Sequence, residues 1–197
     1  MESNVRNYAA SALVISCTEK DTAFFSKALI AASINQITVI VSAGEARREL
    51  LERDFDIVII DTPLADESGE NLARHIAVKD LSQVILAVNS EHFNAVCAVC
   101  QDEGILVIAK PADKEIFWHA LSLAKSVSNK LKRIRNENIK LKQKIEDIRI
   151  IDRAKCQLIS CLGLTEQEAH RFIEKQAMDL RSTKRTIAED LLKKYTN

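Results

Sequence analysis

Two side chains stand where this chain could do polar chemistry at the edge of an apolar setting. Asp61 closes the run Asp56–Asp61 (DIVIID), and Lys110 follows the run Ile105–Ala109 (ILVIA). A carboxylate and an ammonium that finish two different strands land at one sheet edge, because the working crevice of an open α/β sheet lies beyond the carboxyl ends of its strands. Cys97-x-x-Cys100 could begin a zinc site, but no second pair follows at metal-finger spacing. His75, His92, His119 and His170 show no ligand pattern either. The five cysteines, an odd number with no export signal, read as small, buried, reduced core residues rather than a disulfide scaffold. With no nucleophile–base pair, phosphate-cradling loop or metal set, neither an enzyme nor a metal site is expected.

The elements that must hold Asp61 and Lys110 are five β-α units. Ser11–Ser16, Ile37–Val41, Asp56–Asp61, Gln83–Val88 and Ile105–Ala109 are short apolar runs, and helices are expected at about 21–32, 43–53, 70–78 and 91–102 between them. Continuous rather than alternating apolar strands call for a parallel sheet covered on both faces. Asp21 is read as a helix cap and Glu19 as solvated.

From Asp113 to Leu162 about fifty residues run without glycine or proline, between Pro111 and Gly163. As one helix this stretch would be a rod of about 75 Å. Leu131, Asn138 and Ile145 fall on heptad a positions, and Val127, Ile134, Leu141 and Ile148 on d positions. An isolated Asn at a favours a parallel two-stranded register, since misaligned it would face Ile or Leu. The rod is therefore read as the stem of a parallel homodimer. Past it, Ile151, Ala154, Leu158 and Leu162 continue an inward face. Thr165-Glu166-Gln167-Glu168 is a capping box that opens a second helix, with Ala169, Phe172, Ile173, Ala177 and Leu180 on its buried side. Ser182 or Thr183 caps a third helix, packed through Ile187, Ala188, Leu191 and Leu192. The expected division is a lead-in at 1–10, an α/β domain at 11–125, a stem at 126–149 and a three-helix bundle at 150–197.

Composition agrees with a soluble protein: 47% of residues are hydrophobic and 28% charged, enough for a sizeable core. Four glycines and two prolines argue against a β-barrel or disordered tracts. No apolar run is long enough to span a membrane and no signal sequence opens the chain, so a cytoplasmic location is expected. Net charge is zero but uneven. Residues 1–129 hold 11 Lys and Arg against 18 Asp and Glu, whereas 130–197 hold 17 against 10. An acidic module joined to a module that meets a polyanion fits this polarity.

The first 125 residues resemble the receiver domain of two-component response regulators. Asp61 ends the third strand, Gly69 follows eight residues later, and Lys110-Pro111 closes the fifth strand. The resemblance implies a flavodoxin-like fold and an aspartate that takes a phosphoryl group from a sensor kinase. It also implies a lysine that contacts that group, and two acidic residues after the first strand that hold Mg²⁺. Here those two positions are Ser16 and Cys17, a hydroxyl and a soft thiol. Val88 stands at the switch Ser/Thr position, with Ser90 close by, and Val107 stands at the aromatic position of the fifth strand. Two readings of Asp61 stay open: a phosphoacceptor that would need Mg²⁺, or a retained polar residue paired with Lys110. The second is favoured, with no cofactor, and the domain is then a module for binding a sensor or another protein.

The C-terminal residues resemble an ANTAR domain, the RNA-binding module of transcription antitermination regulators. The likeness rests on Asp152-Arg153-Ala154-Lys155, Gly163-Leu164-Thr165-Glu166, Glu168-Ala169, Ile173, Ala177-Met178-Asp179, Arg181, Thr183 and Ala188-Glu189. Cys156 and Ile148 depart from it, standing where the family often has Gly and Arg. The resemblance implies a dimer that binds paired hairpins in an mRNA leader and prevents a terminator from folding. Arg153, Lys155, Arg181, Thr183, Lys184 and Arg185 are the candidate RNA-facing residues, Lys155 foremost. Lys130, Lys132, Arg133, Arg135, Lys140, Lys142 and Lys144 are a solvated face that could also guide RNA. The competing readings are a regulator switched through Asp61 and an adaptor whose bundle has lost RNA affinity.

Overall fold

The computed structural model describes residues 10–79 and 82–195, so residues 1–9 of the expected lead-in lie outside the described residues. The five apolar runs become five parallel strands: β1 (Ser11–Ile15), β2 (Gln36–Ile40), β3 (Ile57–Asp61), β4 (Gln83–Asn89) and β5 (Leu106–Lys110). Their order is β2-β1-β3-β4-β5, the flavodoxin-like arrangement. Four helices alternate with them: α1 (Glu19–Ala31), α2 (Ala43–Glu52), α3 (Glu70–Lys79) and α4 (Phe93–Cys100). The last is shorter than the expected 91–102, because Gln101–Glu103 tightens into a 3₁₀ turn that Gly104 closes.

Alternate side chains of each strand enter different cores, which is why the strands read as continuously apolar. Leu13, Ile15, Val58, Ile60, Val84 and Leu86 pack under α2, α3 and α4. Ala12, Val14, Ile57, Ile59, Ile85 and Ala87 pack with Phe25 and Leu29 of α1 on the opposite face. Phe117, Leu121 and Ala124, from the start of the next helix, complete that second layer. The three central strands are buried, so the carboxyl end of β3 delivers Asp61 to a place closed off from solvent.

Helix α5 is one element of 49 residues, Lys114–Leu162. Its start is fixed by Asp113, whose carboxylate accepts from the N–H groups of Glu115 (2.8 Å) and Ile116 (3.2 Å). Its end is Gly163, at φ +64°, a left-handed position that residues with a Cβ rarely adopt. The chain divides into two compact units, Met1–Lys132 and Arg133–Asn197, each of which takes part of α5. In the second unit, α6 (Glu166–Asp179) and α7 (Lys184–Tyr195) pack on α5. Ala154, Leu158, Ala169, Ile173, Ala177, Ile187 and Ala188 form the core of this bundle.

Three expectations are corrected. Leu162 and Leu180, read as inward-facing, are 48% and 64% exposed, since each lies at a helix end beyond the reach of the neighbouring helices. Among the cysteines only Cys100 is buried; Cys97 is half-buried, and Cys17, Cys156 and Cys161 are exposed. Thr18, not Asp21, caps α1: its hydroxyl accepts from the Asp21 N–H and donates to the Asp21 carboxylate.

Candidate functional site

At the carboxyl end of the sheet, Asp61 is enclosed and both its oxygens are engaged. Lys110 Nζ lies 2.8 Å from Oδ1, and Ser16 Oγ donates to Oδ2 at 2.7 Å. The Lys110 ammonium also donates to the Thr62 carbonyl. Ser16 itself is buried, and the Thr62 hydroxyl is tied to the Ala87 carbonyl at 2.9 Å. Lys110 is held from behind as well, for Ser90 Oγ donates to its carbonyl at 2.6 Å. Gly69, at φ +88°, lets the loop after β3 close down: a Cβ there would lie 3.0 Å from the Thr62 methyl group.

This pocket has the wrong donors for Mg²⁺. A hard divalent ion needs several oxygen ligands, carboxylates foremost. Asp61 is the single carboxylate among the residues described above, and Lys110 and Ser16 occupy its oxygens. Cys17 is exposed, its thiol 3.3 Å from the Val41 carbonyl. Glu19 is exposed on the first turn of α1. Asp21 faces a cleft of about 490 Å³ that also touches Lys20, Phe24, Asn89, Lys110 and Pro111. Among the described residues no group of three or more His, Cys, Asp or Glu gathers as a metal site. Val88 is buried in the layer under α4 and offers no hydroxyl.

The second unit is a bundle whose cations fall into two sets. Its geometry is tightly specified at α6, where Thr165 and Glu168 form both bonds of a capping box. The N–H and hydroxyl of Thr165 hold the Glu168 carboxyl below its ordinary range. Thr183 caps α7, accepting from the Thr186 N–H at 3.1 Å.

Three of the six candidate RNA-facing residues are tied to carboxylates of their own unit. Lys155 bridges Asp152 (2.8 Å) and Glu166 (2.9 Å) and is 16% exposed. These two bonds raise its pKa further above neutrality. Lys184 pairs with Glu174 and lowers the pKa of that carboxyl. Arg185 bonds Asp147 and Glu189, each at 2.8 Å, and so pins α7 to α5. The Arg185 guanidinium, with Gln143 beside it, pulls the Asp147 pKa down.

Arg153 and Arg181, by contrast, have no ion-pair partner among the described residues. The sequence reading passed over two more such cations, Arg171 and Lys175. They are one turn apart on α6, opposite the buried face of Ala169, Ile173 and Ala177. Met178, 79% exposed, continues that outer face, and Arg181 follows in the turn at φ +49°. The signal for this face was present in the sequence as the complement of the apolar stripe. In the stem, Ile134, Leu141, Ile145 and Ile148 are exposed, as is Asn138, while Leu131 is half-buried in the first unit. Lys132, from the basic stretch, is tied to Asp56 at 2.6 Å.

Comparison with known proteins bears on both units. Residues 140–192 match the ANTAR domain family, beginning inside the stretch expected as stem. The chain is 27% identical over 150 residues to the transcriptional regulatory protein PdtaR of Mycobacterium tuberculosis, covering 76% of this chain and 73% of that protein. Among solved structures it is similar to the signal receiver domain of an HD domain-containing protein from Pseudomonas fluorescens. That likeness has a TM-score of 0.59 at 19% identity and covers 68% of this chain and 98% of the other. A CheY-like response regulator receiver domain from Methylobacillus flagellatus gives 0.51 at 19% identity, over 58% and 98% of the two chains. At such identity these two structures speak to the fold alone. No helix among the described residues is long and apolar enough to cross a membrane.

Proposed function

We propose that this chain, which carries an ANTAR domain behind a receiver fold and so has the make-up of an ANTAR response regulator, controls transcription by binding hairpins in a nascent mRNA leader as a parallel dimer. The observation that carries this reading is the outer face of α6. Among the described residues Arg171 and Lys175 stand there without partners, next to the exposed Met178 and followed by Arg181. Free cations supply the phosphate contacts that dominate nucleic-acid affinity, and an apolar side chain between them can pack on an unstacked loop base. Arg153 on α5 is a further cation without a partner among the described residues. Two chains joined along the stem would present two such faces, so that the second hairpin binds as an intramolecular event. Holding two hairpins apart from a terminator is a regulatory act that requires no catalysis.

The receiver unit enters this function as a protein-binding module without phosphoryl transfer or Mg²⁺. Asp61 already has an ammonium and a hydroxyl on its two oxygens, and Ser16 and Cys17 stand after β1 in place of an acidic pair. A sensor protein would act on this unit by contact. Incubation with a small phosphodonor and Mg²⁺ should leave the mass of the chain unchanged, and an adduct on Asp61 would overturn this part.

The main test is a mobility-shift assay with a transcript of two tandem hairpins. Binding should exceed that to a single hairpin and fall steeply with salt. Failure to bind any two-hairpin leader at low salt would leave an adaptor as the function.

A further inference from the structure

Within the second unit α5 has two apolar stripes, of which its own chain covers one. With Ile145 at heptad position a, the covered stripe occupies c, f and g. Ile150, Ile151, Ala154 and Leu158 pack into the bundle core, Asp147 holds Arg185, and Gln157 donates to the Tyr195 carbonyl at 2.6 Å. The other stripe occupies a and d: Ile134, Leu141, Ile145 and Ile148, then Asp152 and Lys155, then Ile159 and Leu162. Ile159 is 37% exposed and Leu162 48%, so the bundle leaves both open although it ends beside them.

We infer that the dimer seam does not stop at Ile148 but runs on along the bundle to Leu162, where Ile159 and Leu162 pack against the same residues of a second copy. This rests on the dimer reading above. The register supports it. From Ile148 to Ile159 is one heptad plus a step of four, and Leu162 follows by three, so both residues return to the a and d rows. A second copy is the occupant that matches this stripe. In a parallel, in-register pair a faces a and d faces d, which sets Ile and Leu layers on their like and Asn138 on Asn138, and brings Asp152 and Lys155 opposite their own copies. Length argues the same way. The exposed seam from Ile134 to Ile148 is about two heptads with an Asn inside it, short of the three to four over which an a/d pattern supports a coiled coil. Extended to Leu162, it reaches about four. Each of these two like-charge layers has its counterion in the same chain: Asp152 and Lys155 are paired at 2.8 Å, and Glu166 draws the ammonium away from the seam towards its own bundle.

The test is sedimentation of the full chain across a concentration series. The double variant Ile159→Lys/Leu162→Lys should raise the dimer dissociation constant about tenfold or more, as should Ile145→Lys. Ser160→Lys, an exposed position off the stripe, should leave it unchanged. Circular dichroism melts confirm that each variant keeps its helices. As a second measure, Ile159→Cys should form a disulfide between copies under mild oxidation, located by peptide mass, and Ser160→Cys should not. Should Ile145→Lys dissociate the dimer while Ile159→Lys/Leu162→Lys does not, and should Ile159→Cys fail to cross-link, the extension is overturned and the stem dimer stands. A wild-type chain that sediments as a single subunit overturns both.

Discussion

The Asp61 pocket and the outer face of α6 are both polar sites at the end of well-formed elements, but they leave different things for a partner. In the pocket every charge is answered from within: Lys110 and Ser16 take the two oxygens of Asp61, and Lys110 reaches the Thr62 carbonyl as well. On α6, Arg171 and Lys175 answer to nothing in the described chain. The comparison teaches that one fold can hold different donor sets at the same sheet edge. The receiver sheet is complete, yet Ser16 and Cys17 stand where a metal would need carboxylates. The bundle keeps a compact core of small residues and holds its unpaired cations outward. The same contrast recurs inside the bundle, where Lys155, Lys184 and Arg185 lock helices together and Arg153, Arg171, Lys175 and Arg181 do not.

Reversing charge on the free face should have the largest effect. Arg171→Glu with Lys175→Glu is expected to weaken binding to a two-hairpin RNA about a hundredfold with unchanged helicity. Lys184→Ala or Arg185→Ala should change that affinity by about threefold or less while lowering the melting temperature of the bundle. The opposite ranking in the same mobility shift would break the division between tied and free cations.

Leu158→Ala tests the bundle itself. Leu158 is wholly buried, and its truncation should cost about 3 kcal/mol in urea unfolding followed by bundle-specific hydrogen exchange, leaving the sheet protected as before. Asp61→Ala tests the pocket as a structural device. Removing the carboxylate strands the Lys110 ammonium and the buried Ser16 hydroxyl, at a cost of about 2 kcal/mol. Yet RNA affinity should stay within about twofold; a large loss of affinity would show that the pocket governs the bundle. Thr165→Ala removes one half of the capping box and should lower bundle stability by about 1 kcal/mol in thermal melts.

Acid should act on the bundle in a defined direction. Arg185 lowers the pKa of Asp147, Thr165 that of Glu168 and Lys184 that of Glu174. A carboxyl whose folded pKa lies below its unfolded one stabilises the fold above the unfolded value, and the contribution is lost as pH falls through the folded value. The bundle should therefore hold its melting temperature above about pH 5 and lose it below about pH 4. A melting temperature that stays flat from pH 7 to 3 would mean that these two ion pairs and the Thr165–Glu168 capping bonds contribute nothing.

The sequence by itself determined the elements and their faces. Apolar runs ending in Asp61 and Lys110 announced a parallel sheet, because strands buried on both sides must be apolar throughout. Fifty residues without glycine or proline announced one long helix, and steps of three and four placed Ala154, Leu158, Ala169, Ile173 and Ala177 inside the bundle. These are local regularities, and local periodicity is what a chain displays in one dimension. What only the tertiary structure decided is which charges find partners. Ser16 meets Asp61 across 45 residues, Lys155 meets Glu166 across 11 and Arg185 meets Asp147 across 38. None of these pairings has a period, since each depends on two elements being folded against each other, so the spacing of Lys155 gave no sign that Glu166 lies beside it. For the same reason the sequence placed Leu162 on the inward face, and the folded bundle alone showed that Ile159 and Leu162 are left uncovered.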